Sequence, residues 1–167
     1  MSIGWRKRLT RAERKIIENW VILYYDKVLA LSLRLTGNRD DAQDCAQEVF
    51  IRAWKKYGTY RGEAHPMAWL KRITLNICYN HLNRNKSKRW DELEAENLEG
   101  DSGNVANMNG IDPALLKRLS PLERSVVIAR IYEDLSFRML AESLGTTENN
   151  AKVSYHNAIV KLRKLVK

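Results

Sequence analysis

Asn149, Asn150, Lys152, Val153, His156 and Asn157 sit between apolar residues that recur every three or four positions, so a helix through them would turn these six outward. Amides and cations so arranged suit a DNA groove: an amide pairs with base edges, and lysine neutralises phosphate. The same pattern also suits an ordinary helical hairpin with a solvated polar face. A second polar face carries Lys71, Arg72, Asn76, Asn80, Asn83 and Arg84. Catalysis has no comparable support. His65, His81 and His156 lie in different segments, with no cysteine or carboxylate at ligand or triad spacing in the sequence, and no G-x-x-x-x-G-K-[ST] loop occurs. No catalytic residue, metal site or cofactor is expected, and the chain is not expected to be an enzyme.

The elements that would position these faces are all helical. The period of 3.6 residues recurs throughout, and no stretch alternates with period two for long enough to suggest a sheet. Ile16, Ile17, Trp20, Val21, Tyr24, Val28, Leu31 and Leu35 form one apolar stripe ending at Gly37, a helix terminator. Asn38 or Asp40 can cap the next helix, in which Ala42, Cys45, Ala46, Val49, Phe50, Ala53 and Trp54 recur, leaving Asp41, Asp44, Glu48, Arg52 and Lys55 outside. After a loop over 58–65, Pro66 suits the first turn of a third helix whose buried side is Trp69, Leu70, Ile73, Ile77, Cys78 and Leu82. Four shorter helices follow, over 113–119, 121–132, 136–144 and 148–166. In the last two, Phe137, Leu140, Ala141 and Leu144 make a stripe, Gly145 turns the chain, Thr147 caps, and Ala151, Tyr155, Ala158, Ile159 and Leu162 make the next. That is a helix-turn-helix pattern.

Charge divides the 167 residues into three. Residues 1–89 carry 19 basic and 8 acidic groups, residues 90–112 carry 7 acidic and no basic groups, and residues 113–167 carry 10 and 5. The acidic joint, with its Gly- and Asn-rich run over 100–110, buries little apolar surface, so a flexible linker is expected between two small helical domains. A net charge of +9 fits a polyanionic partner and decides nothing about fold. No window approaches the roughly 18 apolar residues of a spanning helix, and residues 1–10 are too polar for a secretory signal, so a soluble cytoplasmic protein without membrane insertion is expected. Cys45 and Cys78, far apart in sequence, read as small core residues.

Two stretches resemble the extracytoplasmic-function (ECF) group of the sigma-70 family. NRDDAQDCAQEVFIRAWKKYGTYRGEAHPMAWLKRITLNICYNHLNR resembles its region two, and LSPLERSVVIARIYEDLSFRMLAESLGTTENNAKVSYHNAIVKLRKL resembles its region four. The resemblance implies a sigma factor that brings bacterial core RNA polymerase to promoters. Its first domain, 1–89, would dock on the polymerase β′ coiled coil through Asp44, Gln47 and Glu48. The same domain would capture and open the minus-10 element through Tyr60, Arg61, Lys71, Arg72, Asn76 and Asn80. The second domain, 113–167, would meet the β flap and read the minus-35 element through Asn149, Asn150, Lys152, Val153, His156 and Asn157. An anti-sigma factor is a further implied partner. The joint, 90–112, corresponds to the linker that threads the polymerase, and its sequence suits a passive tether as well as a mimic of RNA. The recognition helix departs from the family pattern, with Ser154, Asn157 and Ile159 at positions that are basic in many relatives, which implies fewer phosphate contacts. The rival reading is a stand-alone helix-turn-helix regulator that needs no polymerase.

Overall fold

Each helix begins where the sequence supplies a cap. The computed structural model describes residues 8–93 and 110–166, so residues 1–7 and most of the acidic joint lie outside it. Helix α1, Arg11–Thr36, starts at Thr10, whose hydroxyl accepts from the Glu13 amide while the Glu13 carboxylate accepts from the Thr10 amide. Helix α2, Arg39–Lys56, is capped by Asn38 and not by Asp40; the Asn38 side chain accepts from the Asp41 amide at 3.0 Å. A 3₁₀ turn, Tyr57–Thr59, opens the loop to α3, Pro66–Leu93. This helix runs through the first residues of the expected linker.

Beyond the joint come α4, Pro113–Leu116; α5, Pro121–Tyr132; α6, Phe137–Leu144; and α7, Glu148–Val166. These follow the sequence expectation closely, except that α4 stops one turn early. Ser120 and Glu123 form a second reciprocal cap at α5, Ser136 caps α6, and the Thr147 hydroxyl accepts from the Asn150 amide at the start of α7. Every regular element among the described residues is a helix.

Apolar stripes decide the packing. Val28, Leu31 and Leu35 of α1 meet Ala46, Val49 and Ala53 of α2 and Leu70, Ile73 and Ile77 of α3, which closes the first domain. Cys45 and Cys78 meet in this core. A hydrogen bond between the two thiols holds Cys45 below the usual thiol range and pushes Cys78 well above it. In the second domain α7 packs on α5 and α6 through Ala151, Ala158 and Leu162. Lys161 reaches both oxygens of Glu123, at 2.8 and 2.9 Å, tying α7 to the cap of α5. Burial pushes the Glu123 carboxyl up, but hydrogen bonds from Lys161 and the Ser120 amide pull it further down, so this tie holds at neutral pH and is lost as pH falls through that lowered range. Ile16, Val21 and Trp54, expected in the apolar stripes, are more than a third exposed instead; Val21 and Trp54 line an outer groove between α1 and α2 that no third element among the described residues covers.

The two domains are packed together. Helix α3 lies against α5 and α6, α1 touches α5, and the buried residues of both domains merge into one cluster. At the C-terminus of α1, Gly37 adopts φ 68°, and a side chain there would run into the guanidinium of Arg124 from α5, which is itself buried. The left-handed conformation, which costs other residues about 1–2 kcal/mol, favours glycine here, and a side chain would in addition have to displace the end of Arg124. Gly37→Ala is expected to lower the unfolding free energy of the full chain by about 1–2 kcal/mol, read as a lower urea midpoint at unchanged m. An unchanged midpoint by circular dichroism would show that neither constraint operates.

Candidate nucleic-acid and protein interfaces

The α2 face read from the sequence is present and open. Alternate helical turns bury Cys45, Ala46 and Val49, which leaves Asp44 and Gln47 exposed and Glu48 partly so. Glu48 is not independent of its surroundings: its carboxylate accepts from Arg52 one turn on, at 3.0 Å. Farther along the same side Ile51 and Trp54 are exposed and, with Ile17 and Val21 of α1, line an apolar groove. The face is acidic at one end and apolar at the other.

The α3 face is mostly occupied. Of the residues expected to meet DNA, Lys71 pairs with Glu133 at 2.8 Å, Arg72 with Glu142 at 3.3 Å, and the Asn76 side-chain amide donates to the Ser143 carbonyl at 3.0 Å. All three partners belong to the second domain. Arg34 of α1 joins the first pair, 3.7 Å from Glu133 and with its guanidinium 4.5 Å above the Tyr132 ring. Glu133 is almost buried between the two cations, so its pairs are less screened than exposed ones. Asn80 is exposed, donates to the Asn76 carbonyl oxygen at 3.3 Å, and touches no residue of the second domain through a hydrogen bond.

The loop before α3 gathers aromatic rings. Tyr60 lies edge-on to Trp20 at 5.1 Å and tilted against Trp69 at 5.3 Å, and its hydroxyl donates to the Ala64 carbonyl at 2.6 Å. Arg61 is exposed beside it. Tyr60, Trp69 and Arg72 border a hollow that Met139 of α6 also lines. Trp69, read from the sequence as core, is half-buried and faces both the core and this hollow. His65 stacks edge-on to Tyr24, and His81 lies 3.4 Å from Asp41, a carboxylate neighbour that sequence spacing did not reveal. Among the described residues no group of three or more histidine, cysteine or carboxylate side chains could hold a metal ion.

On α7, Asn149, Asn150, Lys152, Val153, His156 and Asn157 are all exposed, as the sequence expectation required, while Ala151 and Ala158 are buried beneath them. Lys152 pairs with Glu148 at 3.1 Å, and Asn150 donates to the Thr146 hydroxyl at 2.7 Å. Of the three positions that depart from the family pattern, only Asn157 is exposed; Ser154 is buried and Ile159 half-buried. Of these three departures, only that at Asn157 changes the exposed face of α7.

Sequence reasoning missed Arg52, Glu133, Glu142 and Ser143. Arg52 read as one more charge outside a stripe, yet it donates to the Asn76 carbonyl oxygen at 2.9 Å as well as to Glu48. The other three sit 62 to 70 residues from their α3 partners, a separation with no local pattern.

Comparison with known proteins matches these surfaces to one family. The model described as Sigma-70 region 2 matches residues 20–88, and that described as Sigma-70, region 4 matches residues 115–164. The RNA polymerase sigma-H factor of Pseudomonas aeruginosa is 31% identical over 132 residues, covering 77% of this chain and 68% of that protein. The ECF RNA polymerase sigma factor SigW of Bacillus subtilis is 26% identical over 174 residues, covering 95% and 92%. Among solved structures, the sigma factor RpoE of Bartonella quintana, in complex with the anti-sigma factor NepR, has a TM-score of 0.69 at 21% identity, covering 91% of this chain and 97% of that one. CnrH in complex with the cytosolic domain of CnrY has a TM-score of 0.60 at 20% identity, covering 92% and 88%. These two likenesses bear on the fold.

The pairs between α3 and the second domain make a testable latch. Glu133→Lys with Glu142→Lys places like charges against Arg34, Lys71 and Arg72, and the two domains should part. The expected observation is a larger radius of gyration by small-angle X-ray scattering with unchanged helical content; superimposable scattering curves would mean that charge does not hold the domains together.

Proposed function

This chain belongs to the sigma-70 family, in its extracytoplasmic-function group, and is an alternative sigma factor directing transcription initiation by RNA polymerase; from that premise we propose how its surfaces divide the work. Residues 1–89 dock on core polymerase and capture the minus-10 element, residues 113–167 read the minus-35 element, and the acidic joint at 90–112 connects them. The observation that carries this reading is the distribution of the assigned residues over three faces, of which those on α2 and α7 are open and that on α3 is covered. The rival stand-alone regulator leaves the first domain, matched over 20–88, without a task.

Asp44, Gln47 and Glu48 supply the acidic end of the polymerase-docking face, where opposite charge on the β′ coiled coil would speed and orient association. Ile51 and Trp54 continue that face with apolar area. On α3, Lys71 and Arg72 track the phosphates of the melted strand, Asn76 and Asn80 contact bases, and Tyr60 and Arg61 border the hollow that receives an unstacked base. In the closed arrangement Lys71, Arg72 and Asn76 are engaged by Glu133, Glu142 and Ser143, so capture of the minus-10 element requires the second domain to leave α3. Binding of the polymerase, with the second domain seated on the β flap, provides the free energy for that separation, because a ligand that favours the open state shifts the population toward it. The sigma factor contributes no bond-making step; nucleotide addition stays with the polymerase. The chain acts in the cytoplasm, and among the described residues no helix is long and apolar enough to cross a membrane. An anti-sigma factor, such as the one bound to RpoE in its solved complex, would act by holding the closed arrangement.

The N-terminal turns of α7 enter the major groove of the minus-35 element, with Asn149, Asn150, Lys152 and Val153 toward base edges and His156 and Asn157 toward the backbone. Lys152 must leave Glu148 to reach DNA.

Two expectations follow for the assembled holoenzyme. Asp44→Lys with Gln47→Lys, both positions exposed and without partners in the core, should abolish capture of core polymerase in a pull-down while leaving the circular dichroism spectrum unchanged; capture at the wild-type level would remove α2 from the docking face. Asn157→Arg should restore a phosphate contact, tightening promoter binding and steepening the salt dependence by about one unit, whereas Lys152→Ala should weaken it. A salt titration in which Asn157→Arg gains nothing would refute the account of the missing charge.

A further inference from the structure

Asn76 has its amide held from two sides. Its carbonyl oxygen accepts from Arg52 at 2.9 Å and from Asn80 at 3.3 Å, and its NH₂ group donates to the Ser143 carbonyl at 3.0 Å. Rotating the amide by half a turn would set NH₂ against the guanidinium and oxygen against a carbonyl, so the hydrogen-bond partners leave one orientation. These partners differ in permanence. Ser143 belongs to the second domain and leaves when the domains part, whereas Arg52 is on α2 of the same domain, braced by Glu48 at 3.0 Å and only a third exposed. Its second N–H group is thereby fixed, and the pair is charge-assisted.

Building on the assignment of Asn76 to the minus-10 element made above, we infer that Arg52 is the positioning residue that sets base selectivity there, by holding the Asn76 oxygen inward so that Asn76 presents only N–H donors to the melted strand. An unrestrained asparagine can turn either its donors or its acceptor toward a base. Fixed by Arg52, it rewards bases that offer an acceptor and leaves an exocyclic amino group unmatched. The bond to Ser143 shows the same preference in the closed state: the group bound there is a carbonyl, an acceptor standing where a base acceptor would stand. Arg52 also joins Glu48 of the docking face to Asn76, so the same guanidinium spans the polymerase-facing and DNA-facing sides of the first domain.

The test uses holoenzyme on a panel of promoters varied one base at a time through the minus-10 element, with permanganate reactivity of the melted strand as the readout. Asn76→Ala identifies the position Asn76 reads, where discrimination should fall about tenfold, the size of one good amide-to-base pair. Arg52→Met keeps the unbranched stem and removes the donors; it should relax the same position to a similar extent in holoenzyme matched for concentration, with the circular dichroism spectrum of wild type. Arg52→Lys, which retains a cationic donor group without the guanidinium fork, should recover part of the discrimination. In the double variant Arg52→Met with Asn76→Ala, the loss should not exceed that of Asn76→Ala alone, since both changes remove one interaction. Wild-type discrimination by Arg52→Met, relaxation at other positions, or multiplied losses in the double variant would each overturn the role of Arg52 while leaving Asn76 as a base reader. If Asn76→Ala itself changes nothing, the minus-10 assignment of Asn76 falls and this inference with it.

Discussion

A helix has one circumference, and α3 has almost all of it engaged. Leu70, Ile73 and Ile77 complete the core of the first domain against α1 and α2, while Lys71, Arg72 and Asn76, a turn or less away, hold α5 and α6. A surface assigned to DNA is thus the surface that binds the second domain. On the reading proposed above, the two ligands compete for the same cations and the same amide, so one would be bound only when the other is released. Closed and open arrangements follow from this single constraint, without any change inside either domain.

The character of the internal contacts suits such an exchange. An apolar interface of similar extent would be favourable whether or not DNA was near. Here the contacts at α3 include ion pairs and a hydrogen bond beside the apolar packing that joins the two cores, and on the reading proposed above these polar groups would be equally well satisfied by phosphates and base edges. On that reading Glu133 and Glu142 stand in for phosphate and the Ser143 carbonyl for a base acceptor, so the polar part of the free energy needed to part the domains would be returned when DNA takes their place.

Within the first domain, the polar network crosses from one working face to the other. Glu48 lies on the docking side of α2, Arg52 one turn on, and Asn76 on α3 beneath the second domain. Asp44 and Gln47, by contrast, project from α2 without such ties. The three residues that one pattern in the sequence groups together thus differ in surroundings: Asp44 and Gln47 project freely, whereas Glu48 braces the arginine that holds Asn76.

Much was determined by the sequence alone, because it is local. Caps at Thr10, Asn38, Ser120, Ser136 and Thr147, glycines at 37 and 145, and apolar residues every three or four positions fix where helices start, stop and bury themselves, and these signals act over one or two turns. The exposure of all six α7 residues follows from the same periodicity, and so does that of Asp44 and Gln47. Tertiary structure alone decided what α3 touches. Periodicity says that Lys71, Arg72 and Asn76 lie outside the apolar stripe, but outside one stripe is not the same as open to solvent when a second domain can pack there. The meeting of Cys45 with Cys78, of His81 with Asp41, and of Asn76 with Arg52 and Ser143 likewise depends on distances across the fold, between residues that carry no mark of each other in the chain.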